Sequence, residues 1–78
     1  MPVVLRLKGY RFFFFSGEGQ ELPHIHVEQA ERYAKFWLKP VSLARSRGFR
    51  SGEISEIQRI VEEHRSLFEE RWHEHHKR

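Results

Sequence analysis

The segment Pro23-His24-Ile25-His26-Val27-Glu28 alternates between polar and apolar residues, a pattern typical of a β-strand with two different faces. Because side chains alternate along a strand, the two histidines and Glu28 share one face, whereas Ile25 and Val27 share the other. Three side chains that can titrate or bind a metal therefore line one face of one strand. The segment gives both a first element of the fold and a candidate site.

The rest of the chain is consistent with a sheet followed by a helix. Apolar and alternating runs predict strands over residues 3–7, 10–15, 24–29, 33–39 and 41–45. From Gly52 onward apolar residues recur at three- and four-residue steps, which predicts one amphipathic helix of about six turns with Ser51 as its N-cap. We predict a single α+β domain over residues 1–78, a small antiparallel sheet of four or five strands with one long C-terminal helix packed on one face.

Length and composition exclude several classes of protein. The chain has 78 residues and no cysteine, so disulfides and cysteine-based zinc sites are excluded. No apolar run approaches the ~20 residues of a membrane span. We expect a cytoplasmic protein without membrane contact and without a cofactor. So short a chain buries a small core, and homodimer formation is the stabiliser that we expect.

Charge is unevenly distributed along the chain. The net charge of +3 combines a basic part, +5 over residues 1–50, with an acidic part, −2 over residues 51–78. A basic sheet region favours an anionic partner such as RNA. The alternative is ordinary surface charge that keeps a small protein in solution.

Four consecutive phenylalanines, Phe12 to Phe15, are the most apolar run of the chain. In a strand, Phe12 and Phe14 point to one face and Phe13 and Phe15 to the other. One pair can enter the core beneath the helix. The other pair needs cover, which a dimer interface or stacked nucleic-acid bases would supply.

The histidine pair has three interpretations that the residues leave open. His24 and His26 can act as acid and base near neutral pH, and cleavage of RNA through the 2′-hydroxyl would need them plus a cation. They can contribute to a metal site, which would need a ligand from elsewhere because Glu28 lies too far along the strand. They can also be structural polar residues. The side chains that we expect to bind the substrate are Glu28, Arg45, Arg47 and Arg50.

We expect the helix to pack on the face of the strand that carries the apolar residues Ile25 and Val27. His24, His26 and Glu28 are then expected on the opposite face, where solvent can reach them. His64 lies within the apolar stripe of the helix and is expected to be a packing residue on the other side of the sheet. The histidine-rich tail at residues 73–76 is expected to fray, and we assign it no function.

Several of these residues together resemble a known family. The segment at 23–28, the later Glu63-His64-Arg65 and Trp72, and the Met1-Pro2 start resemble a family of small bacterial proteins known as domain of unknown function 4160. The resemblance covers nearly the whole chain. Leu22 stands where the family often has a second proline and Ile25 where it often has phenylalanine, but the histidines are retained.

The resemblance implies a role in a toxin–antitoxin module, with a second small protein, the cognate antitoxin, as partner. The leading hypothesis is a toxin-like component that acts on RNA in the manner of a ribonuclease, with His24 and His26 as acid and base. The alternatives are a non-enzymatic module that binds a protein or dimerises, and a small histidine-based metal-binding protein.

Overall fold

The sheet is an antiparallel meander in which each strand pairs with the next one along the chain. The structure is a computed structural model that describes residues 3–15 and 19–76, so the Met1-Pro2 start lies outside the described residues. Within them the strands are β1 (Val3–Leu7), β2 (Tyr10–Phe13), β3 (His24–Gln29), β4 (Arg32–Leu38) and β5 (Val41–Arg47), in the spatial order β1-β2-β3-β4-β5. The antiparallel α+β architecture of the prediction is confirmed.

Two helices follow the sheet, α1 (Ser51–Glu63) and α2 (Arg65–His75), and the prediction of one long helix is wrong. The break is at His64, whose backbone adopts φ −110° and ψ 19°. Its backbone N–H and its Nδ1–H both donate to the carbonyl of Ile60, at 3.0 and 2.9 Å. A side chain that competes for a helical carbonyl in this way bends a helix. The apolar periodicity runs through the break, which is why it does not reveal the bend.

The start of α1 also differs from the prediction. Arg50 is the N-cap and Ser51 is the first helical residue. The backbone N–H of Arg50 donates to the Glu53 carboxylate at 2.8 Å, which is one half of the capping-box arrangement. Glu53 therefore fixes the point at which the chain turns from the sheet into the helical layer.

Strand β5 continues to Arg47, two residues beyond its predicted end at Arg45, so both arginines are strand residues. Gly48 then has φ +89°, a conformation that favours glycine. A Cβ at this position would lie 2.8 Å from Cγ of Arg32, which leaves no room for a side chain. The arginine-rich segment is consequently held in the sheet up to a sharp turn into α1.

The helices cover one face of the sheet and form the main core with it. Ile25 and Val27 of β3 face the helices and are fully buried, as predicted. Phe12 and Phe14 point to this side too, where Phe12 stacks on Phe68 with ring centroids 5.4 Å apart. The helical layer contributes Ile57, Ile60, Val61, Phe68 and Trp72 to this core.

Tyr10 connects this core to α1 and makes stability depend on pH in alkaline solution. The pKa of Tyr10 is raised from 10.0 to about 12. Burial is the larger cause, and the second is the hydrogen bond that its hydroxyl donates to Glu56 at 2.9 Å. A raised pKa stabilises the folded state with the neutral phenol. This contribution is complete below pH 10 and is lost as the pH rises from 10 to about 12.

We expect Tyr10→Phe to remove this part of the alkaline loss of stability. Urea unfolding of the parent and the variant, on either side of pH 10, measures the difference in the free energy of unfolding. An identical pH dependence in both proteins would contradict the assignment.

Candidate functional site

The two histidines of β3 lie on the sheet face that does not form the main core, as predicted, but the expectation that they are solvent-reachable is wrong. His24 is 0% exposed and His26 is 1% exposed. Glu28, two residues further along, is half-buried. The alternation of the strand determines the side on which each residue lies. The burial comes from neighbouring side chains of the sheet and, at His24, from Trp72 of α2.

His24 is enclosed by two tryptophans at the end of the sheet. Its Nδ1–H donates to the carbonyl of Leu22 at 2.8 Å, which fixes the tautomer at that nitrogen and orients the ring. The ring centroids of Trp37 and Trp72 lie 5.7 and 4.7 Å from that of His24. Trp72 is on α2, so the second helix closes this end of the histidine face.

His26 lies beneath three aromatic rings. Phe13 and Phe15 contact it with ring centroids 5.6 and 4.4 Å away, and Tyr33 stacks on it at 5.8 Å. The Tyr33 hydroxyl and Nδ1 of His26 are hydrogen-bonded at 2.7 Å. Phe13 of the second phenylalanine pair is thus buried within the chain itself, whereas Phe15 contacts His26 and stays partly exposed.

Lys35 is a polar residue of this face that sequence reasoning missed. It lies opposite His26 in the β3–β4 pairing and is only 9% exposed. Its Nζ donates to the Glu21 carboxylate at 2.9 Å and lies 4.7 Å from the centre of the Trp37 ring. The ion pair and the cation–π contact together compensate for the burial of the ammonium group.

A groove opens beside the His26 cluster, with a cavity volume of about 430 Å³. Its lining residues are Phe15, Glu28, Tyr33, Arg45, Ser46 and Arg47. Three of the four residues predicted to bind substrate, Glu28, Arg45 and Arg47, are therefore brought together. The fourth, Arg50, lies instead at the N-cap of α1.

Three charged residues of the groove, Glu28, Arg45 and Arg47, lie next to Tyr33. The Arg45 guanidinium lies 5.9 Å from the centre of the Tyr33 ring. Glu28 is paired with Arg11 of the neighbouring strand β2 through one carboxylate oxygen. The groove thus offers two arginines, a paired carboxylate and two aromatic rings, a combination suited to an anionic, partly aromatic ligand.

Tyr33 is the groove residue that is hydrogen-bonded to the buried His26. Its position opposite β3 could have been predicted from the sequence. Ala30 and Glu31 form a two-residue connection between β3 and β4, with Ala30 at φ +55°. Such a short connection fixes the register of a hairpin, which places Tyr33 opposite Glu28. The position of Phe15 could not be predicted in the same way, because Phe15 lies beyond the end of β2 and has no partner in the strand register.

The remaining histidines lie elsewhere. His64 is half-buried and its ring contacts Phe68, with centroids 6.1 Å apart, so it packs on the helical layer as expected. The tail was expected to fray, but α2 continues to His75, and the rings of His75 and His76 contact Phe14 at 5.8 and 6.3 Å. His75 and His76 therefore contribute to packing, whereas His73 is exposed.

Residues 3–15 and 19–76 contain neither a metal-binding cluster nor a membrane-spanning helix. In that part of the chain no group of three or more His, Asp or Glu side chains is placed to hold a metal ion. Over the same residues, none of the helices combines the length and the apolar character needed to cross a bilayer.

A family model described as a domain of unknown function (DUF4160) matches residues 9–73. The chain belongs to the DUF4160 family. The match includes the histidine strand, the groove and nearly all of both helices. No curated protein and no solved structure matches the chain significantly.

Proposed function

We propose that this member of the DUF4160 family binds single-stranded RNA in the groove beside β4 and β5. The observation that carries the proposal is the convergence of Arg45 and Arg47 with two aromatic rings, Phe15 and Tyr33, around one cavity. Arginines bind phosphates through several donors at once, and aromatic rings stack on unpaired bases. The groove therefore offers a complementary group for each part of a nucleotide.

The location of the groove supports RNA over a purely apolar ligand. Phe15, at 37% exposed, presents part of its ring to solvent, while both arginines are exposed. The sheet half of the chain also carries the positive charge, +5 over residues 1–50. A positive groove with accessible rings is the usual design of surfaces that bind single strands with little sequence preference.

A protein-binding or dimerising module has less support from the structure. That function would need a continuous apolar surface. Val3 and Leu43, which are 38% and 41% exposed, lie on β1 and β5, the two opposite edges of the sheet. These two residues cannot share one patch within a single chain, and the other exposed large apolar residues of the described chain, Phe15 and Leu22, lie between β2 and β3.

We extend the proposal to the two-protein module that the family resemblance implies. In that module this chain is the toxin-like component and acts on RNA, and a cognate antitoxin-like protein restrains it. Covering the Arg45–Arg47 groove would be a direct way for such a partner to act, because it would block access of RNA.

The double variant Arg45→Ala/Arg47→Ala is expected to lower the affinity for a fluorescent single-stranded RNA oligonucleotide at least about ten-fold. Removal of two phosphate contacts should also reduce the slope of log K against log salt by roughly 1.4. Fluorescence anisotropy at several salt concentrations measures both quantities. Production of the parent protein alone should arrest bacterial growth, and this variant should relieve the arrest.

The matched control is Arg59→Ala/Arg71→Ala, which removes the same charge from exposed positions on the helical layer. It should retain most of the affinity and nearly the full salt slope. Equal losses of affinity in the two double variants would mean that RNA binding depends only on the net charge of the protein. That result would remove the groove from the proposal.

A further inference from the structure

The hydrogen bond between Tyr33 and His26 joins an accessible groove to a buried imidazole. Tyr33 lines the groove, whereas His26 is 1% exposed and lies beneath Phe13 and Phe15. The Tyr33 hydroxyl is 2.7 Å from Nδ1 of His26. A ligand in the groove therefore meets the phenol first, and the histidine affects that ligand through the phenol.

We propose that Tyr33 is a catalytic residue that removes the proton from an RNA 2′-hydroxyl, and that His26 is the base which accepts the phenol proton. This inference rests on the proposed binding of RNA in the groove. It assigns the proton transfer to a residue that the sequence did not single out. It also gives His26 a role that is compatible with its burial.

The hydrogen-bond geometry supplies the path of the proton. In the tautomer of His26 that carries its proton on Nε2, the Tyr33 O–H donates to Nδ1. Transfer along this bond leaves a phenolate oxygen in the groove, which is a far stronger base than the phenol. Activation of a weak nucleophile or base by an adjacent imidazole is the general logic of paired catalytic groups.

The resulting reaction is a transesterification within the RNA strand. The 2′-hydroxyl gives its proton to the Tyr33 oxygen as the phenol proton moves to Nδ1 of His26. The 2′-oxygen forms a bond to the adjacent phosphorus, and the bond from that phosphorus to the 5′-oxygen of the next nucleotide breaks. The departing 5′-oxygen takes a proton from water in the open groove, and His26 returns its proton to water through Tyr33.

Two neighbouring groups suit this step. The Arg45 guanidinium, 5.9 Å from the centre of the Tyr33 ring, lies where it can bind the phosphate and stabilise the charge that develops on it. The Glu21 carboxylate pairs at 2.9 Å with Lys35, the residue opposite His26 in the sheet, and so offsets an ammonium charge that would otherwise oppose protonation of His26. The products are a strand ending in a 2′,3′-cyclic phosphate and a strand beginning with a 5′-hydroxyl.

The test compares the parent with Tyr33→Phe, which removes only the phenolic oxygen. Each protein is incubated with an end-labelled single-stranded RNA in the presence of a metal chelator, and the product ends are identified by mass spectrometry. We expect the parent to form cyclic phosphate ends and Tyr33→Phe to be slower by about 100-fold or more. Its RNA affinity, measured by anisotropy, should stay within about two-fold of the parent.

Tyr10→Phe is the matched control, because Tyr10 is a hydrogen-bonded, buried tyrosine that belongs to the core and not to the groove. It should cleave at the parental rate. An all-2′-deoxy oligonucleotide of the same sequence should remain intact, since it lacks the reacting hydroxyl.

The possible outcomes separate this inference from the proposed function. If the parent binds RNA but leaves it intact, or if Tyr33→Phe cleaves at the parental rate, the catalytic assignment is overturned and RNA binding stands. If the parent does not bind RNA at all, both are overturned.

Discussion

The double variant His24→Ala/His26→Ala is expected to lose most of its stability, even though neither residue belongs to the main core. Both side chains are almost completely inaccessible to solvent. Their removal leaves cavities among Phe13, Phe15 and Trp72, and it deprives the Leu22 carbonyl and the Tyr33 hydroxyl of their partners. We expect a loss of about 2 kcal/mol or more at each site. Two such losses approach the roughly 5–15 kcal/mol of stability typical of a domain.

Chemical unfolding followed by circular dichroism measures this loss. His73→Ala is the control, because His73 is exposed on α2 and its removal should change the free energy of unfolding by no more than about 0.5 kcal/mol. A double variant as stable as the parent would show that the aromatic cover over His26 is not formed in solution. A loss of growth arrest in this variant should therefore be attributed to unfolding unless the folded fraction is measured.

Truncation of the main core is expected to have an effect of similar size. Phe68 and Ile57 are both 0% exposed, and Phe68 stacks on Phe12 across the interface between helices and sheet. We expect Phe68→Ala to cost about 3–5 kcal/mol and Ile57→Ala about 2–5 kcal/mol, because the space each leaves cannot be filled by neighbours.

Thermal and urea unfolding of the two variants checks this expectation. Leu22→Ala provides a matched control, since Leu22 is 70% exposed and its truncation removes little buried area. Parental melting of both core variants would mean that the helices are not packed on the sheet.

Alternation along β3 was sufficient to predict which residues face the helices. Ile25 and Val27 enter the main core, and the histidines lie on the other face, because successive side chains of a strand point to opposite faces. The same reasoning separated Phe12 and Phe14 from Phe13 and Phe15. The antiparallel order also followed from short connections between successive runs.

Burial of the histidine face could not be predicted from alternation, which determines direction and not cover. His26 is covered by side chains from β2, β4 and the segment after β2, and these meet only when the register of three strands is known. The bend at His64 was hidden for a different reason. It comes from a local hydrogen bond to Ile60, and buried residues recur at three- and four-residue steps on both sides of it.

Arg45 and Arg47 were predicted to bind the substrate because of their charge, and the strand was predicted to end at Arg45. Placement in β5 gives them fixed positions next to Tyr33, whereas Arg50 falls beyond the turn at Gly48. A single glycine with positive φ therefore separates the arginines of the groove from the arginine at the helix start.

Phe15 and Tyr33 each have two surfaces, one toward His26 and one toward the groove. The wall of the groove is thus also the outer layer of the histidine cluster. A molecule that fills the groove would hold both rings against His26, so its binding energy would be added to the stability of the fold. Binding in the groove would therefore raise the free energy of unfolding through these two rings.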